Sequence, residues 1–103
     1  MQLDMSSASL PVYEALSSEV RLHIIRLISE KPMSVKELAQ ELGLSSAIVT
    51  KHLDKLAAAE LVTSKRVGRS KMTELRVDTI EVKFPREIYP TFQVHQTSIP
   101  YNM

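Results

Sequence analysis

Apolar residues recur at helical spacing in three stretches of the first 60 residues. Steps of three and four positions put the apolar side chains of each stretch on one face, which is typical of a helix that packs against a core. The stretches cover residues 18–30, 35–42 and 45–60. The predicted inward positions are Val20, Ile24, Leu27 and Ile28, with Leu22 and Ile25 widening the first face, and Val49, Leu53 and Leu56 in the last. A shorter helix is expected from Leu10, because Pro11 suits a first-turn position.

The ends of these helices carry start and stop signals. Ser34 followed by Glu37 is a capping-box arrangement, in which each side chain bonds the other residue's backbone N–H. Gly43 suits the positive φ that ends many helices, and Ser45 or Ser46 can cap the helix that follows. Two short helices joined across a turn that contains glycine predict a helix-turn-helix, whose second helix enters the DNA major groove. The alternative is an ordinary corner between two helices.

After the third stretch the pattern changes to that of β-strands. The segments LVTS (61–64) and MTELRV (72–77) flank KRVGRSK, and Gly68 can supply the positive φ that short hairpin loops require. Met72, Leu75 and Val77 are the predicted inward positions. The predicted fold is therefore mainly α with a small β-hairpin wing, a winged helix-turn-helix.

Length and composition restrict the possible functions. A chain of 103 residues forms one small domain, and no apolar run approaches the roughly 18 residues of a membrane span. The N-terminus has no secretory pattern, so a cytoplasmic location is expected. The absence of cysteine excludes disulfides, thiolate metal sites and thiol nucleophiles. The sequence also has no nucleophile with its base, no close carboxylate pair and no phosphate-binding glycine loop, so we expect no enzyme and no cofactor.

The overall charge of +1 conceals an uneven distribution of charged residues. Residues 45–76 hold seven Lys and Arg against three Asp and Glu, a local charge of +4, whereas the flanking segments are acidic. Neutralisation of phosphates by Lys and Arg supplies most non-specific affinity for DNA. The basic region coincides with the predicted helix 45–60 and the hairpin, which favours nucleic-acid binding by these two elements.

Two groups of side chains are candidates for contact with DNA. The helix 45–60 carries small polar and cationic side chains on the face opposite its apolar positions, and an α-helix fits a DNA major groove. These side chains are Ser46, Ala47, Thr50, Lys51 and Lys55. Four cations between Lys65 and Lys71 cluster at the hairpin tip, where they can reach phosphate or the minor groove. The alternative for the second group is a charged turn in solvent.

At these residues the chain resembles a known family. The segments ALSSEVRLHIIRLI (15–28), SVKELAQELGLSSAIVTKHLDKL (34–56), AAELV (58–62) and VGRSKMTEL (67–75) are similar to the ArsR/SmtB-type winged-helix repressors of bacteria. The most specific parts are VTKHLDKL, which is similar to the family's V-S-x-H-L-x-x-L, and the ELV exit into a wing with a central Gly. The resemblance covers about residues 11–77. It implies a homodimeric cytoplasmic transcription factor, generally a repressor, that binds operator DNA through the helix 45–60 and the wing 64–72.

The resemblance also implies roles for individual residues. Transferred by position, Ser45, Ser46, Ala47, Thr50 and Lys51 face bases or flanking phosphates, and His52 lies at the edge of the helix near a phosphate. The implied wing contacts are Arg66, Arg69 and Lys71. For His52, structural packing is an equally weighted alternative, whereas His23 is expected to be structural only.

This chain departs from the family in two respects. It has no Cys in the predicted helix 35–42, which precedes the predicted DNA-reading helix 45–60 (the reading helix). His23, His52 and His95 have none of the usual ligand spacings, so we expect no metal site. Residues 78–103 contain three Pro and alternating β-formers where the family has a C-terminal helix that helps form the dimer. We expect a linker plus the start of a truncated β-rich sensor domain that takes a small-molecule effector. The alternative is a strand arm that pairs with a neighbour.

The sequence thus predicts three segments: a flexible N-terminus (1–9), a winged helix-turn-helix (10–77) and an extended C-terminal segment (78–103). The leading function is sequence-specific binding of double-stranded DNA as a homodimer. The alternative is a winged helix that docks a protein partner without sequence-specific DNA binding.

Overall fold

The computed structural model describes residues 1–84, which form four helices and five short strands. The helices are α1 (Leu10–Leu16), α2 (Glu19–Ile28), α3 (Val35–Leu42) and α4 (Ser46–Ala58). The strands are β1 (Gln2–Leu3), β2 (Met33–Ser34), β3 (Val62–Val67), β4 (Ser70–Leu75) and β5 (Glu81–Val82). The predicted winged helix-turn-helix is confirmed. The C-terminal predictions from residue 85 onward, His95 included, lie outside the described residues.

The helix boundaries follow from local hydrogen bonds. The capping box is complete, because the Glu37 N–H donates to the Ser34 hydroxyl (3.1 Å) and the Ser34 N–H donates to the Glu37 carboxylate (2.9 Å). That backbone N–H stabilises the charged carboxylate and lowers the pKa of Glu37. Gly43 ends α3 with φ +67°, and Ser45 caps α4. The turn between the two helices is therefore the predicted one.

The helices and the sheet enclose one apolar core. Ile24 of α2, Leu38 of α3 and Val49 and Leu56 of α4 are fully buried, and Leu53 is nearly so. Two details of α2 differ from prediction. It ends at Ile28, before Lys31-Pro32, and Leu22 is 44% exposed instead of widening the core face.

The wing is a three-stranded antiparallel sheet in the order β2-β4-β3, so β3 forms one edge. The hairpin of β3 and β4 was predicted, but β2 was not, because two residues carry too little pattern to mark a strand. Met33 pairs with Thr73 and Ser34 with Met72. Thr73 is buried and Met72 is only half-buried. The inward residue at this point of β4 is therefore Thr73 and not the predicted Met72.

The first nine residues, where a flexible segment was expected, contain β1 and a short 3-10 turn. β1 pairs in parallel with β5, and Leu3 is buried in the core. The Asp4 carboxylate accepts hydrogen bonds from the Ser6 hydroxyl (2.5 Å), the Ser6 N–H (2.9 Å) and the Ser9 hydroxyl (3.2 Å), which lower the pKa of Asp4. The Tyr13 hydroxyl donates to the Asp4 carbonyl at 2.8 Å, which ties this segment to α1.

Candidate nucleic-acid interface

No other element within residues 1–84 covers the outer face of α4. With 100° per residue, the stripe opposite the buried Val49 and Leu53 consists of Ala47, Lys51, Asp54 and Ala58, and Thr50 and Lys55 flank it. Every one of these six side chains is exposed, as are Ser45 and Ser46 at the start of the helix. A small, polar and cationic helix face without a protein cover can enter a groove. The structure therefore brings the predicted α4 residues together on one accessible surface.

The start of α4 is held by its cap. The Ile48 N–H donates to the Ser45 hydroxyl at 3.2 Å, so Ser45 serves the helix end with its side chain. Ser46 is the first helical residue, and its side chain is free to project outward. Of the two serines considered for the cap, Ser45 takes that role.

The end of α4 turns the chain sharply into β3. Glu60 has φ +63°, the Leu61 N–H donates to the Leu56 carbonyl (3.0 Å) and the Glu60 N–H donates to the Ala57 carbonyl (2.9 Å). This is the Schellman arrangement, with a glutamate at the left-handed position that glycine usually takes. The turn fixes the direction of β3, and hence of the wing, relative to α4.

The wing presents cations on a two-residue hairpin loop. Gly68 has φ +62° and Arg69 has no positive φ, which is the pattern of a type II′ turn. Arg66 lies directly opposite Lys71 in the strand register. Like charges in opposed positions destabilise a hairpin. A bound polyanion would relieve the repulsion between these two cations. Lys65, Arg66, Arg69 and Lys71 are all exposed.

His52 lies on the flank of α4 and differs from the other candidates. It is half-buried, and its Nδ1 atom is 3.1 Å from Nη1 of Arg21 on α2. The same guanidinium donates from Nε to the Ala15 carbonyl (2.8 Å) and from Nη2 to the Glu14 carbonyl (3.1 Å), both at the end of α1. His52 therefore has a structural contact as well as a place on the reading helix.

Sequence reasoning missed three residues of this surface. Arg21 could not be found, because its contact with His52 spans 31 positions. Asp54 lies on the outward stripe, where a carboxylate can accept a hydrogen bond from cytosine N4. Ile48 is 45% exposed in the first turn of α4. Helical spacing alone could have placed Asp54 and Ile48, since neither falls on the apolar face.

Within residues 1–84 there is no group of three His, Asp or Glu side chains able to hold a metal ion. The same part of the chain contains no helix with the length and apolar character needed to cross a membrane.

Comparisons with known proteins show which proteins this chain is similar to. Residues 16–65 match a family described as a helix-turn-helix domain. An uncharacterized HTH-type transcriptional regulator of Methanocaldococcus jannaschii, MJ0229, is 35% identical over 79 residues, which are 68% of this chain and 83% of that protein.

Solved structures are similar over more than half of the chain. An ArsR-like transcriptional regulator from Rhodococcus sp. RHA1 is 35% identical with a TM-score of 0.62, over 64% of this chain and 61% of that one. A mutant of Lactococcus lactis ZitR, solved in complex with DNA, is 33% identical with a TM-score of 0.54, over 56% of this chain and 42% of that one.

Proposed function

The chain belongs to the ArsR-like helix-turn-helix transcriptional regulators, which bind DNA and are not enzymes, and from this premise we propose that it is a repressor that binds operator duplex as a homodimer. α4 enters the major groove, and the hairpin of β3 and β4 lies along the adjoining backbone. The observation that carries the proposal is the uncovered outer face of α4 with the cationic hairpin directly after it. ZitR, whose similar fold was solved with DNA, supports this use of the fold.

The proposed contacts divide into two classes. Ser46, Ala47, Thr50 and Lys51 contact base edges from the first two turns of α4 and set sequence preference. Ser45, Lys55, Arg66, Arg69 and Lys71 contact phosphates and set position and affinity. His52 belongs to the phosphate class, at the flank of the helix.

Dimerisation is supported by apolar surface at the N-terminal side of the domain. α1 buries Val12 and Ala15 in the domain's own core but leaves Leu10 50% exposed, and the preceding Met5 is 53% exposed. A second copy that covers this surface would place two reading helices in successive major grooves, about 34 Å apart. The proposed operator is accordingly an inverted repeat.

The experiment is equilibrium binding of labelled duplexes from the chain's own genomic neighbourhood, by fluorescence anisotropy at several salt concentrations with random duplex as competitor. We expect one duplex to resist competition and log affinity to fall linearly with log salt. Arg69→Ala should weaken every duplex and reduce the salt slope by about one, whereas Thr50→Ala and Lys51→Ala should reduce the preference for the specific site.

The matched control is Arg26→Ala, which removes an exposed cation from α2 and should leave the salt slope unchanged. Equal losses on specific and random duplexes for the three interface variants would contradict the assigned roles. Binding no better than to random duplex would favour the alternative, in which the same face docks a protein partner.

A further inference from the structure

The Arg21 side chain of α2 connects α4 to the end of α1. The Arg21 guanidinium donates to the carbonyls of Glu14 and Ala15 at the end of α1 and also reaches His52 on α4. The Glu14 carbonyl is shared, because it also accepts from the Ser17 N–H and hydroxyl. The three contacts of the guanidinium lie between 2.8 and 3.1 Å. A planar guanidinium has five N–H donors and can serve acceptors on two helices together, which the single ammonium of lysine cannot match.

The chemistry of this contact determines which ring nitrogen of a neutral His52 carries the proton. Arginine is always protonated and has only donors, so Nδ1 of His52 must accept through its lone pair. A neutral imidazole that accepts at one nitrogen carries its proton on the other. The contact with Arg21 therefore assigns the Nε2–H tautomer to His52.

The second ring nitrogen is available to an external acceptor. Within residues 1–84 no hydrogen-bond partner of Nε2 is found, and none of the buried side-chain nitrogens or oxygens in this part of the chain lacks a partner. Nε2 is consequently not fully buried, and in this tautomer it presents an N–H donor on the flank of α4. An N–H donor at that place suits a phosphate oxygen, which only accepts.

We propose that Arg21 is a positioning residue for DNA binding, which holds His52 as the Nε2–H tautomer so that the ring donates to a backbone phosphate. The role of Arg21 is indirect, since it touches His52 and α1 and not the DNA. The inference rests on the proposed function for its DNA step, but the tautomer is a property of the free protein.

The first test is ¹⁵N–¹H NMR of the imidazole nitrogens in the free protein, where the two tautomers have distinct patterns. We expect the Nε2–H pattern for His52, and its loss or averaging in Arg21→Lys. Arg26→Lys, an equivalent change on the same helix, should leave the pattern unchanged. An Nδ1–H pattern in the wild type, or an unchanged pattern in Arg21→Lys, overturns the proposal.

The second test is a double-mutant cycle on affinity for the operator duplex. We expect Arg21→Lys and His52→Ala each to lose about tenfold, the scale of one hydrogen bond to a charged group, and the double variant to lose little more than either. Losses that multiply to about a hundredfold overturn the proposal.

Two His52 variants test the proposal even if the Arg21 variant does not fold. His52→Asn keeps an acceptor near Nδ1 for Arg21 but lacks the distal donor, whereas His52→Gln keeps a donor near Nε2. We expect Gln to retain more affinity than Asn at equal thermal stability, and the reverse order overturns the proposal. If the wild type binds no duplex, the DNA step falls with the proposed function, while the NMR result still decides the tautomer.

Discussion

Ile48 is an exposed apolar side chain on an otherwise polar helix face. It is 45% exposed, and its N–H bond to the Ser45 hydroxyl fixes it in the first turn of α4. In the major groove only thymine offers an apolar group, its C5-methyl. A branched aliphatic side chain at the entering end of the reading helix can therefore distinguish thymine by contact with that methyl.

Replacement of thymine by deoxyuridine in the operator tests this role, since it removes only the methyl group. We expect the wild type to lose about fourfold in affinity at the contacted thymine, the value of one buried methyl. Ile48→Ala should bind both duplexes alike. Leu22→Ala, which removes a similarly exposed side chain from α2, should keep the wild-type difference, and equal sensitivity in Ile48→Ala would rule the contact out.

At this scale the sequence predicts burial better than it predicts contacts. Val49, Leu53 and Leu56 were placed inward by their spacing, because a helix face is a local property. The bond from Arg21 to His52 depends on how two helices cross, and nothing in the spacing of either helix encodes that crossing. The individual DNA contacts stay predictions.

At the scale of elements, α3 and α4 end in the same way with different residues. Gly43 and Glu60 both adopt the left-handed conformation, with φ +67° and +63°. A side chain in this conformation costs about 1 kcal/mol, which glycine avoids. A Cβ built on Gly43 meets nothing within 4 Å, so a substitution there changes the backbone energy and creates no clash.

Exchanging the two residue types should shift stability in opposite directions. We expect Gly43→Ala to lower the free energy of unfolding by about 1 kcal/mol and Glu60→Gly to raise it by a similar or smaller amount. Glu60→Ala, which removes the carboxylate but keeps the strain, should change little. Urea denaturation measures the three variants, and a destabilised Glu60→Gly would contradict the assignment of strain.

The elements divide by how local their signals are. The capping box, the glycine stop and the hairpin turn lie within four residues of the positions they determine, and all three were predicted. β1 and β2 have two residues each, and their partners lie 79 and about 40 positions away. Such strands exist only through long-range pairing, so local patterns do not predict them.

At the scale of the whole molecule, the two ends of the described chain meet beside the core. β1 pairs with β5, which follows the wing, and Leu3 of β1 is only 5% exposed. The N-terminal segment is thus part of the packed domain and covers one side of it. Its apolar contact should matter for the stability of the entire fold.

We expect Leu3→Ala to lower the free energy of unfolding by about 2–4 kcal/mol, the usual cost of removing a buried leucine side chain. Leu22→Ala, the same change at a side chain of α2 that is 44% exposed, should stay within about 0.5 kcal/mol of the wild type. Denaturation of both variants, followed by circular dichroism, decides the matter. A near-neutral Leu3→Ala would mean that the segment lies loosely on the domain.

The position of β3 at the edge of the sheet has a consequence for colloidal behaviour. An edge strand presents unpaired backbone groups that a second chain can join, and lysine and arginine side chains along the edge oppose such aggregation. We therefore expect Lys65 and Arg66 of β3 to oppose such association in the free protein. We expect neutral substitutions of Lys65 and Arg66 to remove this protection, so a variant that removes these two cations from the wing is better made with Asp or Glu at the same two positions.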